Sequence, residues 1–253
     1  MKTLTKEKLV VNIYDTREQM GSAAGKKAAE LIKEYLALKE EVNVIFAAAP
    51  SQNEMLDTLV KSEGIDWSRV NAFHMDEYIG LAADAPQGFG NFLKERIFSR
   101  LPFKSVNYIN CEAKDVDAEC ERYSKLLKDN PVDIVLLGIG ENGHLAFNDP
   151  HVADFNDKAA VKAVKLDDIC RNQQVNDGCF KTLADVPEYA LTLTIPALVS
   201  AKHMVCTVPA ATKAWAVNAT VTEPVSEKVP ATIMRKHNSA VMFCDHDSGR
   251  DLL

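Results

Sequence analysis

The sequence predicts an α/β fold with a mainly parallel sheet that helices cover on both faces. Two observations lead to this class. Apolar runs of strand length alternate with helical patterns along the whole chain, and no linker, repeat or low-complexity segment interrupts them. Strands that alternate with helices of this length favour right-handed crossovers between parallel strands. We therefore expect one domain over residues 1–253, because a chain of this length can bury one large core.

The individual elements follow from the spacing of apolar residues. A long helix is predicted from the three- and four-residue steps between Met20 and Leu38, with Asp15 or Thr16 as its N-cap. Further helices are predicted at 53–60, 89–98, 115–127 and 211–221. Strands are predicted at 42–48, 70–74, 132–137, 189–194, 204–208 and 240–244.

Composition excludes several classes of protein. The net charge of −7 argues against a nucleic-acid surface, which needs clustered Lys and Arg. No apolar stretch approaches the roughly 18 to 20 residues of a membrane span, and the first residues lack the apolar core of a signal peptide. The six cysteines form no CxxC pair, which indicates reduced thiols rather than a disulfide framework or a zinc cage. We expect a cytoplasmic protein without a bound metal.

The most informative motif is GIGENGHLAFNDP at residues 138–150, directly after the apolar run 134–137. Parallel strands of α/β folds carry their chemistry in the loops at their carboxyl ends. His144 lies in this glycine-punctuated loop, and Asn142 and Asp149 are close enough in sequence to orient its ring. We expect His144 to be catalytic, whereas His74, His203, His237 and His246 are expected to be structural.

A second acidic turn follows the predicted strand at 70–74. Asp76 and Glu77 could ligate a metal, act as a base or cap a loop, and capping is the commonest role of such residues. Position favours a catalytic role, because Asp76 and His144 both follow parallel strands and could face one cleft. A carboxylate and an imidazole in one cleft suit proton transfer.

An anion site is predicted less clearly. Residues 47–53 join a strand to a helix, whose N-terminus attracts phosphate, but the loop has no glycine and Pro50 removes one N–H donor. Lys213 and Arg171 are candidate side-chain ligands for phosphate, although each alone resembles a solvated surface charge. The GIGENG sequence opens no amphipathic helix, so a dinucleotide fingerprint is not expected.

These motifs together resemble the glucosamine-6-phosphate deaminase (isomerase) family. The resemblance covers nearly the whole chain, and its segments are HMDEYIGL at 74–81, LGIGENGHLAFNDP at 137–150, VPEYALTLTIPALVSAK at 186–202 and the KAWAVNATV helix from Lys213. The sibling 6-phosphogluconolactonases share the fold but follow the glycine-histidine step with a Thr-Ala-Ser-Leu-Phe type sequence. The resemblance implies a Rossmann-like three-layer α/β/α sandwich.

The resemblance also implies roles for particular residues. Asp76 corresponds to the base that moves the C2 proton, His144 to the residue that opens the sugar ring, and Asn142 and Asp149 to its supporting pair. Ser51, Gln52, Glu77, Arg171 and Lys213 would bind substrate and its phosphate, although the family's Thr-Gly-Ser-Thr-Pro phosphate turn is replaced here by residues 49–53. No metal or organic cofactor is implied.

The substrate implied is a hexosamine 6-phosphate, which is isomerised and deaminated to a ketose phosphate and ammonia. A galactosamine 6-phosphate enzyme, a 6-phosphogluconolactonase and a non-catalytic sugar-phosphate sensor stay open as alternatives. No nucleic-acid or membrane partner is expected, and assembly into a homo-oligomer is left open.

Overall fold

The computed structural model describes all 253 residues and contains eleven strands and eight α-helices. The strands are β1 (Lys2–Lys6), β2 (Leu9–Ile13), β3 (Val42–Phe46), β4 (Val70–His74), β5 (Asp76–Tyr78), β6 (Ser105–Asn107), β7 (Ile134–Leu137), β8 (Val161–Lys165), β9 (Tyr189–Leu193), β10 (His203–Val208) and β11 (Ala240–Cys244). The α-helices are α1 (Arg17–Leu38), α2 (Asn53–Val60), α3 (Phe89–Leu93), α4 (Val116–Asp129), α5 (Asp168–Asn176), α6 (Ile195–Val199), α7 (Ala214–Thr222) and α8 (His246–Gly249). None of these helices is long and apolar enough to cross a membrane.

The main sheet has eight strands in the order β1-β2-β11-β10-β7-β3-β4-β6. All neighbours pair in parallel except the β1–β2 hairpin, which is antiparallel at one edge. Successive residues of β3 face opposite sides, so Val44 and Phe46 join a core of 33 buried residues and Ile45 joins a second core of 32. Two cores of nearly equal size on the two faces confirm the predicted three-layer α/β/α sandwich.

The strand order reverses next to the centre of this sheet. From β3 the chain continues outward to β4 and β6, and it then returns to place β7, β10 and β11 on the other side of β3. Open α/β sheets bind their ligands at the carboxyl ends of the strands beside such a reversal. The loops after β10, β7, β3 and β4, four neighbours in the sheet, are therefore the expected site.

Helix α1 anchors the loop that follows β3. Thr16 caps α1 by accepting a hydrogen bond from the backbone N–H of Gln19, which resolves the predicted choice between residues 15 and 16. A Cβ atom on Gly21 would lie 2.2 Å from the Cβ atom of Glu54, so this glycine allows α1 and α2 to pack closely. The start of α2, and the loop before it, are thereby fixed against α1.

The predicted elements are present, with differences at their ends and in one region. The predicted helix at 89–98 is the α-helix α3 followed by a π-helical turn at Lys94–Phe98. The predicted strand at 189–194 is β9, but it belongs to a separate antiparallel sheet of order β5-β9-β8 rather than to the main sheet. All six cysteines are free, as predicted.

Candidate active site

A cavity lies at the carboxyl ends of the four central strands. Its walls come from the loops after β3, β4 and β7, from the residues before α7, and from α3 and α5. The lining residues are Ala47, Ala48, Ala49, Ser51, Gln52, Met75, Asp76, Phe89, Gly138, Ile139, Gly140, His144, Ala146, Phe147, Gln173, Gln174 and Lys213. The predicted residues Ser51, Gln52, Asp76, His144 and Lys213 are thus brought together at the strand reversal.

His144 is held in a tight turn that needs glycine at two positions. Gly143 adopts a φ of +84°, and a Cβ atom there would lie 2.8 Å from Cγ1 of Val229. A Cβ atom on Gly140 would lie 2.1 Å from Cε1 of the His144 ring, so the imidazole packs directly on this glycine. The backbone N–H of Gly140 also donates to the carbonyl of His144 at 3.0 Å. The glycine spacing of the motif therefore positions the histidine ring.

Two oxygen atoms determine which nitrogen of His144 carries the proton. Nδ1 of His144 lies 2.8 Å from Oδ1 of Asn142 and 2.9 Å from Oδ1 of Asp149. Both oxygens are acceptors, and the Asn142 amide is oriented because its Nδ2 donates to Asp149 at 3.0 Å. The Nδ1 proton is therefore fixed, and Nε2 is free to exchange a proton with a ligand in the cavity.

The carboxylate of Asp149 is fully buried and ionised. Burial alone would raise its pKa, but hydrogen bonds from His144 and Asn142 and the charge of His144 bring the pKa below its ordinary value. Donor atoms of His144, Asp149 and Cys170 lie within 4.8 Å of one another, which is close enough to consider a metal. However, Nδ1 of His144 is already hydrogen-bonded and burial raises the pKa of the Cys170 thiol well above its usual value, so the cluster fits a proton network better.

Asp76 lies where the chain passes from β4 of the main sheet to β5 of the separate three-stranded sheet, which we call the small sheet. Its backbone pairs with Thr192 in the β5–β9 ladder, and its carbonyl accepts a hydrogen bond of 3.0 Å from Nδ1 of His74. His74 is uncharged because burial lowers its pKa to about 4, and its Nε2 accepts from the N–H of Ile109. The backbone of Asp76 is therefore fixed on both sides.

The side chain of Asp76 has the electrostatics of a strong base. Only 7% of the residue is exposed, and its carboxylate has no hydrogen-bond donor in the protein. Burial, and in second place the charge of Glu77, raise the pKa of Asp76 well above its ordinary value. A carboxylate with a raised pKa removes a proton from carbon more readily than an ordinary one.

Glu77 is buried but does not line the cavity. Its two carboxylate oxygens accept hydrogen bonds from the backbone N–H groups of Tyr78, Phe89 and Gly90, at 2.9 to 3.0 Å. Two of these donors belong to the first turn of α3, whose free N–H groups need an acceptor. The structure therefore gives Glu77 the capping role that was one of the alternatives for this acidic pair, rather than a contact with substrate.

At the other end of the cavity, polar atoms are left without partners. Nε2 of Gln52 donates to the carbonyl of Thr207 at 3.2 Å and to Oγ of Ser51 at 3.0 Å, while its Oε1 is buried and unpaired. Nζ of Lys213 is also buried without a partner. Burial lowers the pKa of Lys213, and the charges of Asp177 and Glu141 oppose this shift. A buried cation without a counter-ion is the feature expected of an anion site.

Arg171 lies outside the cavity lining. Its Nη2 donates at 2.9 Å to the carbonyls of both Leu183 and Val186, and its Nη1 lies 3.4 Å from the carboxylate of Asp168. The Nη2 atom of the guanidinium therefore holds the segment after α5, while its Nε is buried without a hydrogen-bond partner. The same helix instead presents Gln173 and Gln174 to the cavity. Apart from the adjacency of two glutamines on one helical turn, nothing in the sequence distinguishes these amides from surface residues.

The fold and this cavity define an α/β protein with a buried carboxylate, an oriented histidine and an unpaired lysine at the strand reversal. Residues 15–243 match the model of the family described as glucosamine-6-phosphate isomerases/6-phosphogluconolactonase, so the chain belongs to this family. It is 34% identical to a glucosamine-6-phosphate deaminase of Listeria monocytogenes over 89% of this chain and 94% of that protein. It is also 34% identical to a glucosamine-6-phosphate deaminase of Latilactobacillus sakei, over 87% and 91% of the two chains.

Solved structures show the same fold. A monomeric glucosamine-6-phosphate deaminase superimposes with a TM-score of 0.86 at 27% identity, covering 95% of this chain and 98% of that one. A 6-phosphogluconolactonase from Thermotoga maritima superimposes with a TM-score of 0.76 at 19% identity, covering 94% and 100%. The second likeness establishes only the shared fold.

Proposed function

We propose that this protein is an enzyme that isomerises and deaminates a hexosamine 6-phosphate, converting glucosamine 6-phosphate and water into fructose 6-phosphate and ammonia. The observation that carries the proposal is the placement of Asp76 and His144 on one cavity that also contains the unpaired Nζ of Lys213. The names of the relatives agree with this activity. The reaction would place the protein in the breakdown of amino sugars, in the cytoplasm.

Ring opening is the first step. The pyranose form hides the aldehyde, and the ring oxygen must gain a proton when its bond to C1 breaks. His144 exchanges this proton through Nε2, because Asn142 and Asp149 hold the other nitrogen. Asp149 is one methylene shorter than the Glu usual in the family, yet its carboxylate reaches the ring at 2.9 Å.

Proton transfer at carbon is the second step. Asp76 takes the proton from C2 of the open-chain amino aldehyde, which gives an enolamine, and a proton delivered to C1 converts it into the imine at C2. Water adds to C2, and ammonia leaves to give the ketone. The substrate's own amine is the leaving group, so the balance needs no oxidant or reductant. The raised pKa of Asp76 supports its assignment as the base.

Lys213 and Ser51 would hold the phosphate at the far end of the cavity. Lys213 is the only lysine or arginine among the lining residues, so this side chain would supply most of the positive charge that neutralises the substrate's phosphate. A lysine binds phosphate as a point charge, and a charge-assisted hydrogen bond is worth roughly 1.5 to 3 kcal/mol. Amino sugars without phosphate are therefore expected to be poor substrates.

A substrate panel tests the proposal. Ammonia release is measured with glucosamine 6-phosphate, galactosamine 6-phosphate and unphosphorylated glucosamine, and lactone opening with 6-phosphogluconolactone. We expect ammonia from glucosamine 6-phosphate at the highest kcat/KM. Ammonia mainly from the galactosamine epimer would correct the substrate, and binding without turnover in the whole panel would indicate a sugar-phosphate sensor.

A further inference from the structure

Helix α5 contributes two neighbouring glutamine side chains to the cavity wall, and the two amides differ in their hydrogen bonding. Oε1 of Gln173 accepts a hydrogen bond of 2.9 Å from the backbone N–H of Glu141, and its Nε2 lies 3.4 Å from the carboxylate of Asp177. Gln174 is equally buried, with 7% of the residue exposed, but its side chain has no hydrogen-bond partner in the protein. Gln173 therefore braces the loop that carries His144, whereas the amide of Gln174 is free to bind a ligand.

The surroundings of Gln174 identify the end of the substrate that it faces. Gln174 lines both the catalytic cavity and an adjoining groove, and it shares both walls with Ala48, Ala49 and Phe89. The two alanines belong to the loop after β3, which leads into Ser51 and Gln52. Gln174 thus lies beside the anion end of the cavity, where this groove meets it.

The charge of Asp177 also indicates that Gln174 lies near Lys213. Asp177, the C-cap residue of α5, follows Gln174 by three residues and therefore lies on the same helical face, and it is close enough to Lys213 to influence the pKa of that lysine. Lys213 alone supplies positive charge to the lining, and the loop after β3 offers few donors because Pro50 has no N–H. An additional donor at this end has a clear chemical purpose, since a phosphate has three terminal oxygens to satisfy.

We propose that Gln174 is a specificity-determining residue whose side-chain amide donates a hydrogen bond to the substrate's phosphate beside Lys213. This inference rests on the proposed function, because it assigns the phosphate to this end of the cavity. It gives α5 a contact with the phosphate although Nη2 of Arg171, on the same helix, is engaged by backbone carbonyls.

A charge series at position 174 tests the inference. Gln174→Glu keeps the shape of the side chain but replaces the donor by a negative charge, and Gln174→Lys adds a cation. For glucosamine 6-phosphate we expect Gln174→Glu to raise KM by about a hundredfold and Gln174→Lys to leave KM equal or lower it, with kcat changed by less than about threefold. The matched control is Asn172→Asp, which adds the same charge on the exposed face of α5 and should change KM by less than about twofold.

Calorimetric titration with inorganic phosphate supplies a readout that does not need turnover. We expect the wild-type protein to bind phosphate and Gln174→Glu to lose this binding. The two proteins should have the same midpoint of thermal unfolding. A Gln174→Glu enzyme with KM within about threefold of wild type overturns the inference and leaves the deaminase proposal intact. Absence of ammonia from every hexosamine 6-phosphate overturns the proposed function instead, and the phosphate titration then decides on Gln174 by itself. A wild-type protein that neither turns over these substrates nor binds phosphate overturns both.

Discussion

Asp76 illustrates how a buried carboxylate lowers the stability of the fold. Its pKa in the folded protein lies well above the ordinary value of an aspartate, mainly because of burial. The folded state therefore binds this proton more tightly than the unfolded chain does. The stabilising contribution is complete below the unfolded pKa, roughly 3.9, and is lost as the pH rises through the raised folded pKa.

Asp76→Asn should consequently separate activity from stability. We expect kcat to fall by roughly a hundredfold or more, because an amide cannot accept the C2 proton. We expect the variant to be more stable than wild type at pH 7 and equally stable near pH 4. Activity assays together with thermal unfolding at the two pH values check this. Near-normal turnover would remove Asp76 from the mechanism, and reduced stability at pH 7 would contradict burial as the cause of its raised pKa.

Single residues also show what the sequence could and could not predict about the site. Asp76 and His144 were predictable because each directly follows a buried parallel strand, and the strand ends converge. Lys213 follows β10 and was predictable for the same reason. For Glu77 and Arg171 residue type alone could not predict the hydrogen bonds that the structure shows, since a carboxylate can cap a helix and a guanidinium can bind carbonyls as readily as either can bind substrate. Neither side chain reaches the cavity lining.

Among the elements, α5 and the segment after it are joined by Arg171. Arg171→Met removes the two hydrogen bonds to the carbonyls of Leu183 and Val186. We expect a loss of about 1 to 3 kcal/mol in the free energy of unfolding, because the carbonyl of Val186 is left unpaired, whereas that of Leu183 still accepts a hydrogen bond from the N–H of Val186. The effect on KM should be smaller than that of Lys213→Met, for which we expect an increase of about ten- to a hundredfold without loss of stability.

Denaturant unfolding and steady-state kinetics of the two variants measure this contrast. Equal increases in KM in Arg171→Met and Lys213→Met, with unchanged stability of both, would support Arg171 as a phosphate ligand. An unchanged KM in Lys213→Met would remove the anion site from the cavity.

The small sheet is the element that sequence patterns could not reveal. Its strand β5 has three residues, too few for a period of two to be recognised, and the exposed residues Ala163 and Lys165 of β8 do not follow a strict alternation with its buried ones. Only β9 was predicted as a strand, and its assignment to a different sheet depends on long-range pairing with β5 and β8. The long apolar strands of the main sheet were predictable because burial on both faces leaves a continuous signal in the sequence.

For the whole molecule, the fold alone does not determine the reaction. The same fold occurs in a glucosamine-6-phosphate deaminase, with a TM-score of 0.86, and in a 6-phosphogluconolactonase, with a TM-score of 0.76. What separates the two chemistries is the carbon acid step, since a deaminase must break the bond between C2 and its hydrogen, whereas a lactonase adds water to an acyl carbon. Asp76, buried and without a donor to its carboxylate, is the residue that we propose as the base of this step.

Isotope exchange at C2 therefore tests the central claim most directly. The reverse reaction is run in heavy water from fructose 6-phosphate and ammonia, with wild-type enzyme and with Asp76→Asn as the control. We predict deuterium at C2 of the glucosamine 6-phosphate formed by the wild type, and no label in the control over the same time, because Asp76 carries the proton. Failure to form ammonia from any hexosamine 6-phosphate, together with rapid opening of 6-phosphogluconolactone, would contradict the claim.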